Sequence, residues 1–459
     1  MRPARDKLTR QLCQLTLVVA VAVLAFVPAM QILRDHAWPT LTKPVIAGVI
    51  LGTALCALML LPRFWHQRLL FASIASVLML GAAELTCSML AGESANSIYE
   101  WDARRLYRLK PNSTKTFHRA ALNGGDRIQV AINSQGFRGP ELNSDGPRHR
   151  IVVYGDSFVE AEYSQDEKTF VRRLETELSA NTELDVEAIN AGVIGYGPDQ
   201  VLLRMEEELP RLNPEVAVVC FFADNDLGDL LRNKLFRLDE NGALQPHEWK
   251  LAPECRRPGT RGPYEPTLWR LTLNAIRGLQ SRSDTTESYM YRWLQQCTEE
   301  YEDYVVRQDP LVRELQVDHY DADVSLTPGC DSANYKTELL RKIVERMQAV
   351  CVENSTTLVL VIIPSPADVI EDYDFCTIDR VKYPAYDPRT ITGAMEEAAK
   401  RTGVPCVNLF DQFAESDPKQ LYFRGGDNHW NDSGQQTAAK TVAMSLTPVI
   451  GRKTGARSL

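Results

Sequence analysis

A serine hydroxyl is a poor nucleophile until a base takes its proton. A histidine imidazole, with an ordinary pKa of ~6.5, suits that task at neutral pH. Four segments of this chain carry the residue types for such chemistry. They are Gly155-Asp156-Ser157-Phe158, then Asn190-Ala191-Gly192-Val193-Ile194-Gly195-Tyr196-Gly197, then Ala223-Asp224-Asn225-Asp226, and last Gly426-Asp427-Asn428-His429-Trp430-Asn431. Ser157 would be the nucleophile, His429 the general base, and Asp427 the carboxylate that holds the imidazole tautomer. Glycine lets a backbone N–H approach a ligand closely. Gly192 or Gly195, the Asn225 amide and the Ser157 N–H would then form an oxyanion hole, where losing one donor typically costs ~10²–10³ in rate. Taken singly, each residue has a commoner structural use. Ser157 is a helix cap, the glycines are turns, and Asn225 is a cap or turn. The inference rests on their order and on where the elements put them.

Those elements read as alternating strands and helices. Apolar runs at 151–154, 186–190, 216–222, 358–363 and 404–409 predict strands, and the third is uniformly apolar, as a buried parallel strand is. Helical patterns fall at 167–179, 199–212 (with Pro198 opening it), 335–352, 390–401 and 432–446. Strand–helix alternation implies parallel β-α-β units, hence an α/β fold with a five-stranded parallel sheet in a three-layer sandwich. Ligands of open parallel sheets bind beyond the carboxyl ends of the strands, and each of the first three segments follows a predicted strand. The fourth precedes the last helix.

Gly-Asp-Ser after a strand, a glycine block, an asparagine block and a histidine before the last helix together resemble the SGNH/GDSL hydrolase superfamily. The resemblance covers roughly 150–225 and 355–447 and implies a flavodoxin-like sandwich. It implies Ser157 as nucleophile, Gly192 or Gly195 with Asn225 as oxyanion donors, and His429 as base. Two departures stand out. The usual final block is Asp-x-x-His, whereas Gly426 lies three before His429 and the aspartate, Asp427, lies two before. This Asp-x-His-Trp form is similar to that of the acyltransferase-like branch, which includes proteins that O-acetylate alginate. Asp224 also stands before Asn225, and is expected to point away from the hole.

At 459 residues the chain exceeds one average domain. Uncharged apolar stretches at 11–33, 44–62 and 69–83, the last continuing past Glu84 to 91, each approach the ~20 residues that cross a bilayer. Three in succession predict a membrane anchor over 1–91 rather than core helices or a cleaved signal peptide. Arg2, Arg5, Lys7 and Arg10, with Arg63 and Arg68, outweigh Arg34 and Lys43 on the other side, with Arg104 and Arg105 some way past the third span. That bias predicts a cytoplasmic N-terminus, a multi-pass membrane protein and an extracytoplasmic catalytic domain. Residues 92–150 read as an extension packed on the catalytic domain of 151–459, with 127–132 alternating like an edge strand. Residues 228–333, with Trp249, Trp269 and Trp293, read as an insertion.

Net charge is −9 with no basic stripe, which argues against nucleic acid as a partner. No Cys-x-x-Cys or histidine cluster suggests a metal, and the chemistry needs no cofactor. Cys255, Cys297, Cys330 and Cys376 lie in polar sequence and would suffice for two disulfides. The expected activity is serine-dependent ester hydrolysis on acylated envelope glycans or lipids. The alternatives are O-acyl transfer onto an extracytoplasmic polysaccharide, with a membrane acyl-donor protein as partner, and a non-enzymatic envelope scaffold. Membrane lipid is the other expected partner.

Overall fold

In the computed structural model the described residues are 98–247 and 321–450, less short gaps at 103, 144–148, 372, 374–377, 379 and 426, together with Met79. The chain divides into two compact units, Met1–Gly92 with Tyr264–Ser283 and Glu93–Pro263 with Asp284–Leu459. The elements below all belong to the second. The three predicted spans and the three tryptophans of the predicted insertion lie outside the described residues, Met79 apart. Among the described residues no helix is long and apolar enough to cross a membrane.

Five strands form one parallel sheet: β5 (His149–Gly155), β6 (Val186–Gly192), β7 (Val216–Ala223), β10 (Thr357–Pro364) and β11 (Cys406–Asn408). Their spatial order is β11-β10-β7-β5-β6. The strand order reverses between β5 and β7, and in such sheets that switch point forms a crevice at the carboxyl ends of the strands. Side chains alternate across the sheet with period two, so each strand feeds two cores. Val152, Tyr154, Ala217, Val219, Leu360 and Ile362 join one core with helices α3 (Pro198–Leu212), α6 (Asp331–Glu353) and α8 (Thr390–Thr402). Ile151, Val153, Val218, Cys220, Val361 and Ile363 join the other with α2 (Phe170–Thr182) and α10 (Asp432–Leu446). Helices on both faces complete the three layers, and the remaining elements are the antiparallel pair β8 (Phe236–Leu238) and β9 (Leu244–Pro246) and the short helices α5 (Ala322–Leu326), α7 (Pro366–Val369) and α9 (Phe410–Glu415).

The differences from the predicted boundaries have local causes. Strand β11 is shorter than 404–409 because Pro405 has no N–H to give the ladder, although its carbonyl accepts from Leu360 N at 2.9 Å. Helix α2 starts later because Thr169 caps it, its hydroxyl accepting from Arg172 N. Helix α6 starts earlier, at a thiol cap: Cys330 Sγ accepts from Ala333 N at 3.5 Å. Cys330 is a free thiol; Cys255, Cys297 and Cys376, the other cysteines in polar sequence, lie outside the described residues.

Ahead of the sheet, β1 (Tyr99–Asp102) pairs antiparallel with β2 (Leu106–Leu109), and β3 (Ser113–His118) with β4 (Arg127–Ile132). Burial in β4 alternates strictly, with Ile128, Val130 and Ile132 inward. After β4, the buried Arg138 spans to the first strand–helix turn, donating to the carbonyls of Glu160 and Ser164.

Helix α1 (Ser157–Glu160) lies hard against β6. A Cβ on Gly192 would collide with the backbone nitrogen of Glu160 and sit 2.6 Å from the carbonyl carbon of Val159. Both obstacles are backbone, so neither can rotate away. Gly192→Ala is therefore expected to lower stability by about 1–3 kcal/mol, as overpacking does, read as a lower urea midpoint at unchanged slope. An unchanged midpoint would mean the helix and strand are not held this close.

Candidate active site

Strand β5 ends at Gly155, and the chain turns at once into α1. Asp156 caps that helix, its Oδ1 accepting from Phe158 N at 2.9 Å. Ser157 thus occupies the first helical position, where the N–H has no partner within the helix. Its side chain is nearly buried, at 8% exposure. Phe158 anchors the turn, with its ring 4.1 Å from that of Phe222 at the end of β7.

The histidine arrives on the segment before α10. Phe423 N donates to the His429 carbonyl at 2.9 Å, and Asn431 N donates to the Leu421 carbonyl at 2.8 Å. Asn431 then caps α10, accepting from Ser433 N and Gly434 N. Between these fixed points Trp430, 1% exposed, donates its Nε1–H to the Phe158 carbonyl at 3.1 Å. The base segment is thereby hydrogen-bonded to the nucleophile's own helix.

The outcome is a continuous chain of contacts. His429 Nε2 lies 2.7 Å from Ser157 Oγ, and His429 Nδ1 lies 2.7 Å from Asp427 Oδ1. The same carboxylate oxygen accepts from the His429 backbone N–H at 3.0 Å. An ionised carboxylate only accepts, so Nδ1 carries the proton and Nε2 is free to receive one from the hydroxyl. Burial alone would depress the imidazolium. The hydrogen bond and charge of Asp427 overcome it and raise His429 above the ordinary histidine value. Burial likewise works to raise Asp427, but bonding to His429 outweighs it and holds this carboxyl below its usual range. The spacing of two residues between acid and base, unusual in the sequence, still closes the pair.

The oxyanion candidates separate. The Gly192 N–H is already donated to Asn190 Oδ1 at 3.0 Å, so Gly192 serves close packing and is corrected out of the donor set. Gly195 sits in the turn after β6 with φ +69°, and among the described residues its N–H makes no hydrogen bond. Asn225, after β7, leads into α4 (Asp226–Asn233) without a side-chain capping bond, and its buried Oδ1 has no partner among the described residues. Its amide group is thus uncommitted. Asp224 accepts from Asn428 Nδ2 at 3.2 Å, tying the third segment to the fourth.

Sequence reasoning missed the groups that support these. The sequence offers Ser157 as the cap, whereas Asp156 is the cap and is buried; burial pushes it up to about 6, against the bond from Phe158 N and the nearby His429 charge. Asp226 accepts from Phe222 N at 2.9 Å, and burial, with Asp156 beside it, raises it well above the carboxylate range. Asp321, at the far end of the predicted insertion, accepts from Leu227 N and Gly228 N and so fixes the start of α4. An acid before an apolar helix signals a cap; no local signal reveals that three such acids share one interior.

A parallel sheet presenting a hydroxyl, an imidazole and a carboxylate at its switch point is equipped for acyl chemistry through a serine nucleophile. The chain is a member of the GDSL-like Lipase/Acylhydrolase family, whose sequence pattern matches residues 153–437, and so belongs among enzymes that act on acyl esters. It is distantly similar to a lipase/acylhydrolase from Enterococcus faecalis, at 11% identity and a TM-score of 0.33, over 66% of this chain and 97% of that one. It is as distantly similar to a catalytic mutant of an acetylxylan esterase from Geobacillus stearothermophilus, at 11% identity and a TM-score of 0.33, over 66% and 95%. No curated protein sequence matches it.

The His429–Asp427 pair makes a titration prediction. Because His429 is raised, its contribution to stability is complete below the unfolded histidine value of ~6.5 and lost as pH rises through the folded one. Asp427, being lowered, contributes above the unfolded carboxyl value and loses that contribution as pH falls through its folded one. Followed by NMR, the His429 imidazole should titrate above ~6.5, and Asp427→Asn should move that midpoint down. A midpoint that Asp427→Asn leaves in place would assign the shift to another group.

Proposed function

We propose that the chain is a serine esterase in which Ser157 attacks an acyl ester. The Ser157 Oγ–carbon bond forms as the hydroxyl proton passes to His429 Nε2, while Asp427 holds Nδ1–H and balances the imidazolium. The carbonyl oxygen takes the electron pair and is met by the Ser157 N–H, the Gly195 N–H and the Asn225 amide. His429 then protonates the departing alkoxide, leaving an acyl-serine, and the same residues run in reverse with water. The observation that carries this is the pair of 2.7 Å contacts through one imidazole.

The proposed substrates are acylated envelope glycans or lipids. This rests on reading residues 1–91 as a three-span anchor that leaves the enzyme outside the cytoplasm, with membrane lipid around it. A sugar hydroxyl in place of water makes the second reading, O-acyl transfer, which the Asp-x-His-Trp spacing favours. A membrane acyl-donor protein would then be its partner. An acylated donor supplied with and without a glycan acceptor separates the two readings.

Ser157→Ala is expected to abolish hydrolysis of p-nitrophenyl acetate by the full-length chain and its labelling by a fluorophosphonate, with the fold retained by circular dichroism. Full residual turnover, or labelling at another residue, overturns the assignment. A chain that never labels and never turns over any ester is instead a scaffold.

A further inference from the structure

The oxyanion reading assigns a donor to a turn. Turns are soft, and a donor displaced by ~1 Å can cost ~10² in rate. The side chain that holds the peptide carrying the Gly195 N–H lies outside the segment matched by the family, which begins at residue 153.

The peptide between Ile194 and Gly195 holds the Ile194 carbonyl and the Gly195 N–H in one plane, pointing in opposite directions. Tyr107, on β2, donates its hydroxyl to that Ile194 carbonyl at 2.8 Å. Fixing the carbonyl at one edge of the plane therefore aims the N–H at the other. The preceding peptide is held too: Ile194 N–H donates to Glu160 Oε2 at 2.6 Å, and Tyr99 on β1 donates its hydroxyl to Glu160 Oε1 at 2.6 Å. The following peptide is held by Arg232, whose Nη2 donates to the Gly195 carbonyl at 2.7 Å. The Tyr107 hydroxyl also lies where a Cβ on Gly195 would approach to 3.0 Å, so this contact helps to require a glycine there. Tyr107 is 1% exposed and packs edge-on against Tyr99 and Tyr196. Tyr196 returns a hydrogen bond to the Tyr107 carbonyl.

We propose that Tyr107, supported by the Tyr99–Glu160 pair, is a positioning residue that aims the Gly195 N–H at the oxyanion. The first β-hairpin is then part of the enzyme's catalytic geometry although the family pattern does not contain it. This rests on the reading of Ser157 and Gly195 given above.

Tyr107→Phe keeps the ring and removes only the hydroxyl. In the full-length chain it should lower kcat for p-nitrophenyl acetate about 10-fold or more, in the direction of losing an oxyanion donor, with KM within about two-fold as for an interaction made only in the transition state. Affinity for a trifluoromethyl ketone, which forms a tetrahedral oxyanion on the serine, should fall in step with kcat/KM. A merely structural role would lower the fraction of sites titrated by a fluorophosphonate without changing kcat per titrated site. Tyr99→Phe should give a smaller loss of the same kind, and serves if Tyr107→Phe does not fold. Wild-type kcat per site, or a loss of kcat with unchanged ketone affinity, overturns the inference while an inactive Ser157→Ala leaves the serine reading standing. An active Ser157→Ala removes both.

Discussion

The contact between His429 Nε2 and Ser157 Oγ joins groups 272 residues apart, and one hydrogen bond cannot hold two loops together over that separation. Its net worth is about 0.5–1.5 kcal/mol, which is no more than the cost of ordering one backbone residue at about 1–2 kcal/mol. The larger effect comes from the neighbouring residue. Trp430 is buried among Phe158, Phe170 and Phe413. Burying about 150–250 Å² of such a side chain gives roughly 4–6 kcal/mol before entropy. Because Trp430 also donates to the Phe158 carbonyl, this apolar anchoring is delivered to the residue beside the nucleophile. The imidazole inherits a position that its own bonds could not have imposed.

Charge sets the second constraint. An oxyanion forming at the switch point has Asp156 and Asp226 behind it, both buried. Four such formal charges in one interior, counting Asp229 and Asp321, would repel the developing anion. Burial answers this by favouring the neutral form of each acid. Asp226, buried and with Asp156 close by, is raised well above the carboxylate range. Asp156 is pushed up to about 6. Burial thereby opposes full ionisation of the acids behind the oxyanion. Asp427 is treated differently: its bond to His429 outweighs burial and holds the carboxyl below its usual range. Neighbouring acids of one residue type are thus set apart by what each one touches.

Much of this was legible in the sequence because the central strands are buried on both faces. Runs such as 216–222 and 358–363 have no polar side to confuse with a helix, and they became β7 and β10 within a residue or two. Ser157, His429 and Asp427 were legible because they fall at strand ends and before the last helix. The ambiguity between Gly192 and Gly195 was not resolvable locally. Both are glycines after a strand, and what separates them is a side chain two residues away folding back on Gly192 N. The start of α6 was missed because cysteine is a rare cap. Tyr107 was missed because nothing in a lone tyrosine on a short strand tells that its hydroxyl will reach a carbonyl 87 residues later.

That last case bears on how the fold achieves precision. A strand end is fixed by its ladder, so Ser157 and Asn225 begin from defined points. The turn carrying Gly195 and the loop carrying Asp427 have no such ladder, and both are reached by residues ahead of β5. Tyr107 and Tyr99 act on the first. On the second, Asn123 pairs both atoms of its amide with the backbone of Arg424, at 2.9 Å and 3.1 Å, in the manner of a bridge between strands. Arg119 donates to the Tyr163 carbonyl and to Asp432 at the start of α10. Each of these bonds ends on a segment that the sheet leaves soft. Polar contacts between loops are weak singly, but they act on groups whose only remaining freedom is orientation. Orientation is what a transition state rewards, so even weak contacts made there bear on rate more than on stability.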